Sequence, residues 1–395
     1  MTQASVSVGH NGAAAPAPRG SVDGAPRQGR SQPYAPPPGL SVPVVTIFDR
    51  AGRIIEDEQR AVIRYVIQQG SGARVIFAAG TTGEWHRIDN PRRQQAARLA
   101  VEECRSVPGV EAWVGVTAPT AAETVENLAY ALELKADAAV IAPLSVADAA
   151  DPVTLVERDF AAVFAKHGAS LPVFLYDNAE IAAPGKAQHL HTRDVKRMSR
   201  LPYVWGIKVT ASKAVLGNYT KAAAHFKSHG QFAIYPGNPY LIFDLFAAPA
   251  GLLGWARRCW NRYLMREAEP YGVVAGAGNV WPREWNRAWE VCRQGDLALM
   301  RSYAEVLGKY RQVCTIRRGN QSVLPAIACL KAALVELGVC GSDAVAPGTP
   351  ALSAEERGEF ARRFKELRSA AGATLESAWL SRVEALPQPP AYAHN

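Results

Sequence analysis

The sequence of 395 residues is 48% hydrophobic, yet it holds no uninterrupted apolar stretch of the roughly 18 residues that a membrane-spanning helix needs. Its six cysteines (Cys104, Cys259, Cys292, Cys314, Cys329 and Cys340) form no CxxC pair and have no histidines at zinc-ligand spacing. That argues against a zinc site and leaves reduced, mostly buried thiols. No GxGxxG follows the first apolar run, so a dinucleotide fold lacks its phosphate loop. The formal charge of +8 is dispersed, and no Lys/Arg run interleaves with aromatics, which argues against nucleic acid. The N-terminus has no basic segment followed by an apolar one, as a secretory signal would. A cytoplasmic globular protein with no membrane partner is expected.

What is present divides into regions. Residues 1–40 are Ala/Pro/Gly-rich, end in Pro36-Pro37-Pro38-Gly39, and read as a disordered tail with Arg19, Arg27 and Arg30 against Asp23. From Val42, eight short apolar runs alternate with amphipathic stretches: Val42 to Phe48, Arg74 to Gly80, Glu111 to Thr117, Ala138 to Pro143, Pro172 to Asn178, Val204 to Val209, Phe232 to Gly237 and Gly272 to Gly276. Their starts recur every 27 to 40 residues, the length of one strand, one helix and two loops. Even βα units favour a closed (β/α)8 TIM barrel over an open sheet. The barrel is expected over residues 41–300, C-terminal helices packed on it over 301–385, and a flexible end over 386–395.

One unit is irregular. Between the seventh and eighth runs lies an insert near residues 248–270, where Leu252, Leu253, Trp255, Trp260, Tyr263 and Leu264 mix with Arg257, Arg258, Arg262 and Arg266. It reads either as an amphipathic helix covering the barrel or joining subunits, or as a lid on the catalytic face.

In a TIM barrel the chemistry sits where strands end, which singles out three places. Strand alternation puts Val204, Gly206 and Lys208 on one face of the sixth run. If that face points inward, burial favours the neutral amine that can attack a carbonyl, with Gly206 leaving space beside it; a surface lysine or a buried ion pair is the alternative. Tyr176, near the end of the fifth run, is placed to move protons beside an iminium, or is a core tyrosine. Gly80-Thr81-Thr82-Gly83-Glu84 follows the second run, and its backbone N–H groups and hydroxyls suit a carboxylate; a plain Gly-rich loop is the alternative.

These motifs, with Gly272-Val-Val-Ala-Gly-Ala-Gly-Asn279, resemble in order and spacing the dihydrodipicolinate synthase / N-acetylneuraminate lyase family. Leu330-Lys331-Ala-Ala-Leu-Val-Glu-Leu-Gly338, Pro347-Gly-Thr-Pro350 and Leu352-Ser-Ala-Glu-Glu356 resemble its tail, so the likeness runs over about residues 42–370. The resemblance implies a class I aldolase-type barrel, assembled as a tetramer or dimer, in which Lys208 forms an imine with pyruvate or another 2-oxo acid. It makes Tyr176 the proton shuttle, with Gly80, Thr81 and Thr82 on the 2-oxo acid carboxylate, and calls for no metal or organic cofactor. Asn238 and Ser145 are further candidate substrate-binding residues.

The chain departs from the pattern in several places. Pro143-Leu144-Ser145 stands where the synthases carry a proline and two tyrosines, and Ile181 where the lysine-pathway enzyme has a substrate-gripping arginine. Asp177-Asn178-Ala179 replaces Asn-x-Pro, Asn238 an acidic residue, and Ala275 a serine. These departures point away from the lysine-pathway reaction. Three readings stay open: a lyase making or cleaving a C–C bond, a dehydratase of a deoxy sugar acid using the same imine, and a catalytically idle binding or scaffold protein.

Overall fold

The structure, a computed structural model, describes residues 34–227, 232–247 and 251–383. The alternating pattern folds as β1 (Gly39–Pro43), α1 (Glu56–Ile67), β2 (Val75–Ala78), α2 (Asn90–Arg105), β3 (Glu111–Gly115), α3 (Ala121–Glu133) and β4 (Ala138–Ile141). Next, α4 (Pro152–Thr154) runs through a π-helical turn (Leu155–Asp159) into α5 (Phe160–His167). The barrel continues with β5 (Val173–Asn178), α6 (Thr192–Met198), β6 (Val204–Thr210), α7 (Lys213–Ala222), β7 (Ala233–Pro236), α8 (Leu241–Phe246), α9 (Gly251–Cys259), β8 (Gly272–Val274) and α10 (Pro282–Gln294). Beyond it lie α11 (Leu297–Val313), the hairpin β9 (Ile316–Arg318) and β10 (Gln321–Val323), α12 (Ala326–Glu336) and α13 (Ala354–Thr374). Several helix starts are legible in their caps: Asp89, Thr120, Ser212 and Asp296 each accept a first-turn N–H, and Ser353 with Glu356 forms a capping box.

The eight strands are parallel, in the order β7-β6-β5-β4-β3-β2-β1-β8. The Tyr271 N–H donates to the Ile234 carbonyl at 2.9 Å across the seam between β8 and β7, so the ring is nearly closed. This is the TIM barrel the sequence predicts. The first strand differs from expectation, since pairing begins at Gly39 opposite Gly272 and ends at Pro43, and Val44 to Phe48 becomes connecting chain. Residues 39 and 40 therefore belong to the barrel, not to the tail. The remainder of the expected tail up to residue 33, and the expected end over 386–395, lie outside the described residues.

Inside the barrel, Trp113 of β3, Phe174 of β5 and Tyr235 of β7 form an aromatic layer; Trp113 and Phe174 stack at 3.9 Å between centroids, and Tyr235 meets both edge-on. Alternate strands supply one layer, as barrel geometry requires. Glycines make room for these rings. A Cβ on Gly206 would lie 2.9 Å from the Phe174 ring and 2.4 Å from the Ala233 carbonyl oxygen, and one on Gly272 would lie 2.6 Å from Tyr235. The space Gly206 leaves is thus filled by Phe174, below Lys208, rather than kept open beside the lysine. The layer forms a solid floor.

The C-terminal helices share the core. Trp281, at the start of α10, Tyr310 of α11 and Phe364 of α13 form a triangle of rings with centroids 6.0 to 6.1 Å apart. The six cysteines are free, five of them buried and Cys259 partly so. Among the described residues no helix is long and apolar enough to cross a membrane.

The insert lies elsewhere than the lid reading requires. It follows helix α8 rather than strand β7, so α9 and the π-helical turn after it (Trp260–Leu264) sit at the N-terminal end of the strands. Its far end is tied there: Ala268 N–H donates to the Thr220 carbonyl at the end of α7, and the Thr220 hydroxyl to Glu267. That end is opposite the face where strands deliver catalytic groups. The lid expectation is corrected. Nor does the segment blanket the barrel, because Leu252, Leu253, Trp255, Trp260, Tyr263 and Leu264 are all exposed.

Candidate active site

Strand register brings the polar residues together. Tyr176 on β5 pairs with Lys208 on β6, and Lys208 pairs with Tyr235 on β7. Lys208 is 5% exposed, its Nζ 3.9 Å from the centroid of the Tyr176 ring and 5.1 Å from that of Phe77. A cation over an aromatic face is attracted by the ring quadrupole. The amine thus stands above the aromatic floor, near the C-terminal ends of the strands.

The Tyr176 hydroxyl is held by three partners. Thr81 Oγ1 lies at 3.2 Å, Asn178 Nδ2 donates at 3.1 Å, and Thr210 Oγ1 donates at 3.5 Å. Burial by itself pushes the pKa of this phenol up. The nearby Lys208 charge and the three hydrogen bonds outweigh burial and hold the phenol below the ordinary tyrosine value. The next residue, Asp177, faces the other way; its buried carboxylate accepts from Leu190 N–H at 2.9 Å and Tyr219 at 3.0 Å, and meets His189 Nδ1 at 2.8 Å. Burial, with the Asp177 carboxylate beside it, pushes the Tyr219 phenol up.

The Gly80 to Glu84 loop is shaped by close approaches. A Cβ on Gly80 would touch the Phe77 ring at 2.9 Å, and one on Gly83 the Val44 carbonyl oxygen at 3.0 Å. Thr46 donates to the Gly83 carbonyl at 2.8 Å, and Glu84, with φ 61°, sends its N–H back to Thr81. Thr81 thereby reaches Tyr176, while Thr82 Oγ1 faces Gly276 at 3.5 Å from where a Cβ would stand. Glu84 does not enter the site: its fully buried carboxylate pairs with Lys331 of α12 at 2.5 Å and accepts from Ala346 N–H. Burial holds the Lys331 ammonium below the usual lysine value despite the Glu84 charge.

The other residues expected at the site follow β7 and β4 in the chain. Asn238 follows β7 in the turn whose carbonyl receives Leu241 N–H. Ser145 is buried in the turn after β4, and among the described residues no hydrogen bond ties its side chain to Lys208 or Tyr176. Reading by residue type overlooked Asn178 and Thr210. Each lies two residues beyond a residue already chosen, Tyr176 and Lys208, so the same strand alternation puts them on the site face. It also overlooked Asn279, whose Oδ1 accepts from Val45 N–H while Nδ2 donates to the carbonyls of Pro43 and Gly276, fastening β1 to the end of β8. Among the described residues no group of three His, Cys, Asp or Glu side chains is placed to hold a metal ion.

This constellation, on this barrel, defines a class of protein with a lysine and a tyrosine at the mouth of a (β/α)8 fold. The sequence profile of the dihydrodipicolinate synthetase family matches residues 36–257, more than half of the chain, and the chain belongs to that family. It is 27% identical over 212 residues to the 4-hydroxy-tetrahydrodipicolinate synthase of Syntrophotalea carbinolica, a match covering 53% of this chain and 66% of that protein. It is 31% identical over 171 residues to a probable 5-dehydro-4-deoxyglucarate dehydratase of Streptomyces coelicolor, covering 43% of this chain and 47% of that one. The chain thus matches between about half and two thirds of the length of these relatives. Among solved structures, the dihydrodipicolinate synthase of Bacteroides thetaiotaomicron superposes with a TM-score of 0.67 at 19% identity, covering 84% of this chain and 99% of that one.

Proposed function

We propose that the protein is a lyase that forms an imine between Lys208 and pyruvate or another 2-oxo acid, and makes or cleaves a C–C bond next to it. The observation that carries this reading is the buried Lys208 Nζ at 3.9 Å from the ring of Tyr176, whose hydroxyl is bonded to Thr81. In this scheme the amine attacks the 2-oxo carbon and the carbinolamine loses water. The resulting iminium draws electrons from C3, so that a proton leaves C3 to give the enamine, or a C–C bond to C3 breaks in the cleavage direction. Tyr176 accepts and returns the proton in these steps, and Gly80, Thr81 and Thr82 hold the substrate carboxylate. In this scheme Asn238 and Ser145 are further candidate substrate-binding residues. Neither metal nor organic cofactor has a part in this scheme, because the iminium is itself the electron sink.

The partner aldehyde of the lysine-pathway synthases is disfavoured. Ile181 and Ser145 offer neither the arginine nor the tyrosine that the resemblance leads one to expect. A second reading, dehydration of a deoxy sugar acid through the same imine, is supported by the 31% identity to the Streptomyces dehydratase. A catalytically idle scaffold is the weakest reading, since lysine, tyrosine and both threonines are all in place. The proposal includes a cytoplasmic homo-oligomer, dimer or tetramer, with sedimentation velocity as the check on assembly.

Borohydride reduction in the presence of pyruvate, followed by peptide mass spectrometry, tests the reading. A reduced pyruvyl adduct on the Lys208 peptide is expected. No adduct across a panel of 2-oxo acids, in folded protein, would exclude lyase and dehydratase together. Release of free pyruvate from candidate aldols, against a dehydrated product from sugar acids, then separates the two.

A further inference from the structure

Asn178 is more than a neighbour of Tyr176. Its Oδ1 accepts the Glu180 N–H at 3.1 Å, which fixes the amide so that Nδ2, an obligate donor, faces the phenol oxygen at 3.1 Å. A phenol offers one donor and two acceptor positions. Asn178 fills one acceptor position and Thr210 approaches the other, so the phenol's own proton goes to Thr81 or to a bound substrate. A donor aimed at an oxygen strengthens when that oxygen becomes an anion.

We infer that Asn178 is a positioning residue of the active site, holding the Tyr176 oxygen through its side-chain amide so that the phenol serves as a base beside the Lys208 imine. The assignment rests on the proposed role of Tyr176. Lys208 of β6 is the charged group facing the phenol; Thr81, Thr210 and the Phe77 ring complete its surroundings, and the Asp177 carboxylate is turned away into its contacts with His189, Leu190 and Tyr219. The lowered pKa of Tyr176 agrees with this arrangement.

Ultraviolet difference titration, with Tyr176→Phe as the subtraction, reads the ionisation of this phenol without any substrate. Asn178→Ala is expected to move its midpoint upward by about one pH unit, a tenfold change in the ionisation constant. Asn178→Asp retains an oxygen for the Glu180 cap but replaces the donor with a charge, and is expected to move the midpoint further in the same direction. It also serves if the alanine variant does not fold. In deuterium oxide, exchange of the C3 protons of pyruvate should shift its pH profile in parallel, while the borohydride adduct still forms. An unchanged titration midpoint in folded Asn178→Ala overturns the inference. A shifted midpoint in a protein that forms no adduct on Lys208 keeps the Asn178 assignment and removes the imine chemistry instead.

Discussion

The Lys331 ammonium and the Glu84 carboxylate meet at 2.5 Å with neither side chain exposed, joining the loop that carries Thr81 and Thr82 to helix α12. Lys331 also donates to the Ala344 carbonyl at 2.8 Å and lies 4.5 Å from the Phe48 ring centroid. A buried pair is costly to form, and costlier to break on one side.

Lys331→Met should therefore strand the Glu84 carboxylate in the interior and destabilise the fold by about 3–5 kcal/mol. The pair of changes Glu84→Gln and Lys331→Met should recover most of that loss, because glutamine still accepts the Ala346 N–H. Urea unfolding of the three proteins measures both. A double variant no more stable than Lys331→Met would show that charge pairing is not what Lys331 supplies.

For catalysis, Tyr176→Phe removes one oxygen and leaves the ring under Lys208. The borohydride adduct should persist, while turnover on a true substrate, or C3 exchange on pyruvate, should fall by about 10²–10⁴-fold. Loss of the adduct itself would assign Tyr176 to imine formation alone.

Gly206→Ala tests the floor. The added methyl has the Ala233 carbonyl at 2.4 Å and the Phe174 ring at 2.9 Å, both too close to stay where they are. A loss of about 1–3 kcal/mol is expected. Slower adduct formation should accompany it, since Lys208 lies two residues along the same strand. Thermal unfolding and the trapping rate report the two effects separately.

A pH effect is expected at the start of α13. Hydrogen bonds from Arg318 at 2.8 and 2.9 Å, with the Ser353 N–H, pull the Glu356 carboxyl from its ordinary 4.5 down to about 2. A carboxyl with a depressed folded-state value stabilises the fold fully above the unfolded value, and that contribution is lost as pH falls through the folded one. Glu356→Gln should thus destabilise at neutral pH by on the order of 1 kcal/mol, small because the group lies at the surface. The gap between the two proteins should close between pH 4.5 and about 2. A gap that stays constant over this range in acid unfolding would point to the cap geometry alone.

These expectations separate what local sequence encodes from what it does not. The strands were legible because each is a short apolar run punctuated by glycine, proline or polar residues, and the site lysine because a period of two fixes which side chains share a face. Glu84 and Lys331 lie 247 residues apart, each within a motif, and no local pattern announces that they meet. Gly39 and Leu40 were assigned to the tail because proline precedes them. Their strand is specified by pairing with Gly272 and Val273, a contact that closes the barrel. The insert was misplaced for a different reason. Helix α8 has only six residues, too few for a periodic signal, so the chain seemed to pass from strand straight into loop.

The position of the insert leads to the last expectation. Arg262 bridges Glu269 at 2.9 Å, and Arg293 of α10 approaches the same carboxylate at 3.8 Å, so this arginine of the insert serves a local network just before β8. Arg257 and Arg258 stand on exposed α9, which follows a helix rather than a strand. Replacing both with Gln should leave the KM for an anionic substrate within about twofold, because interactions between exposed charges fade over roughly one Debye length, about 8–10 Å. Steady-state kinetics at low and at physiological salt make the comparison. A tenfold rise in KM that persists at the higher salt would mean that α9 reaches the catalytic face after all, and would require the chain to cross from one end of the barrel to the other.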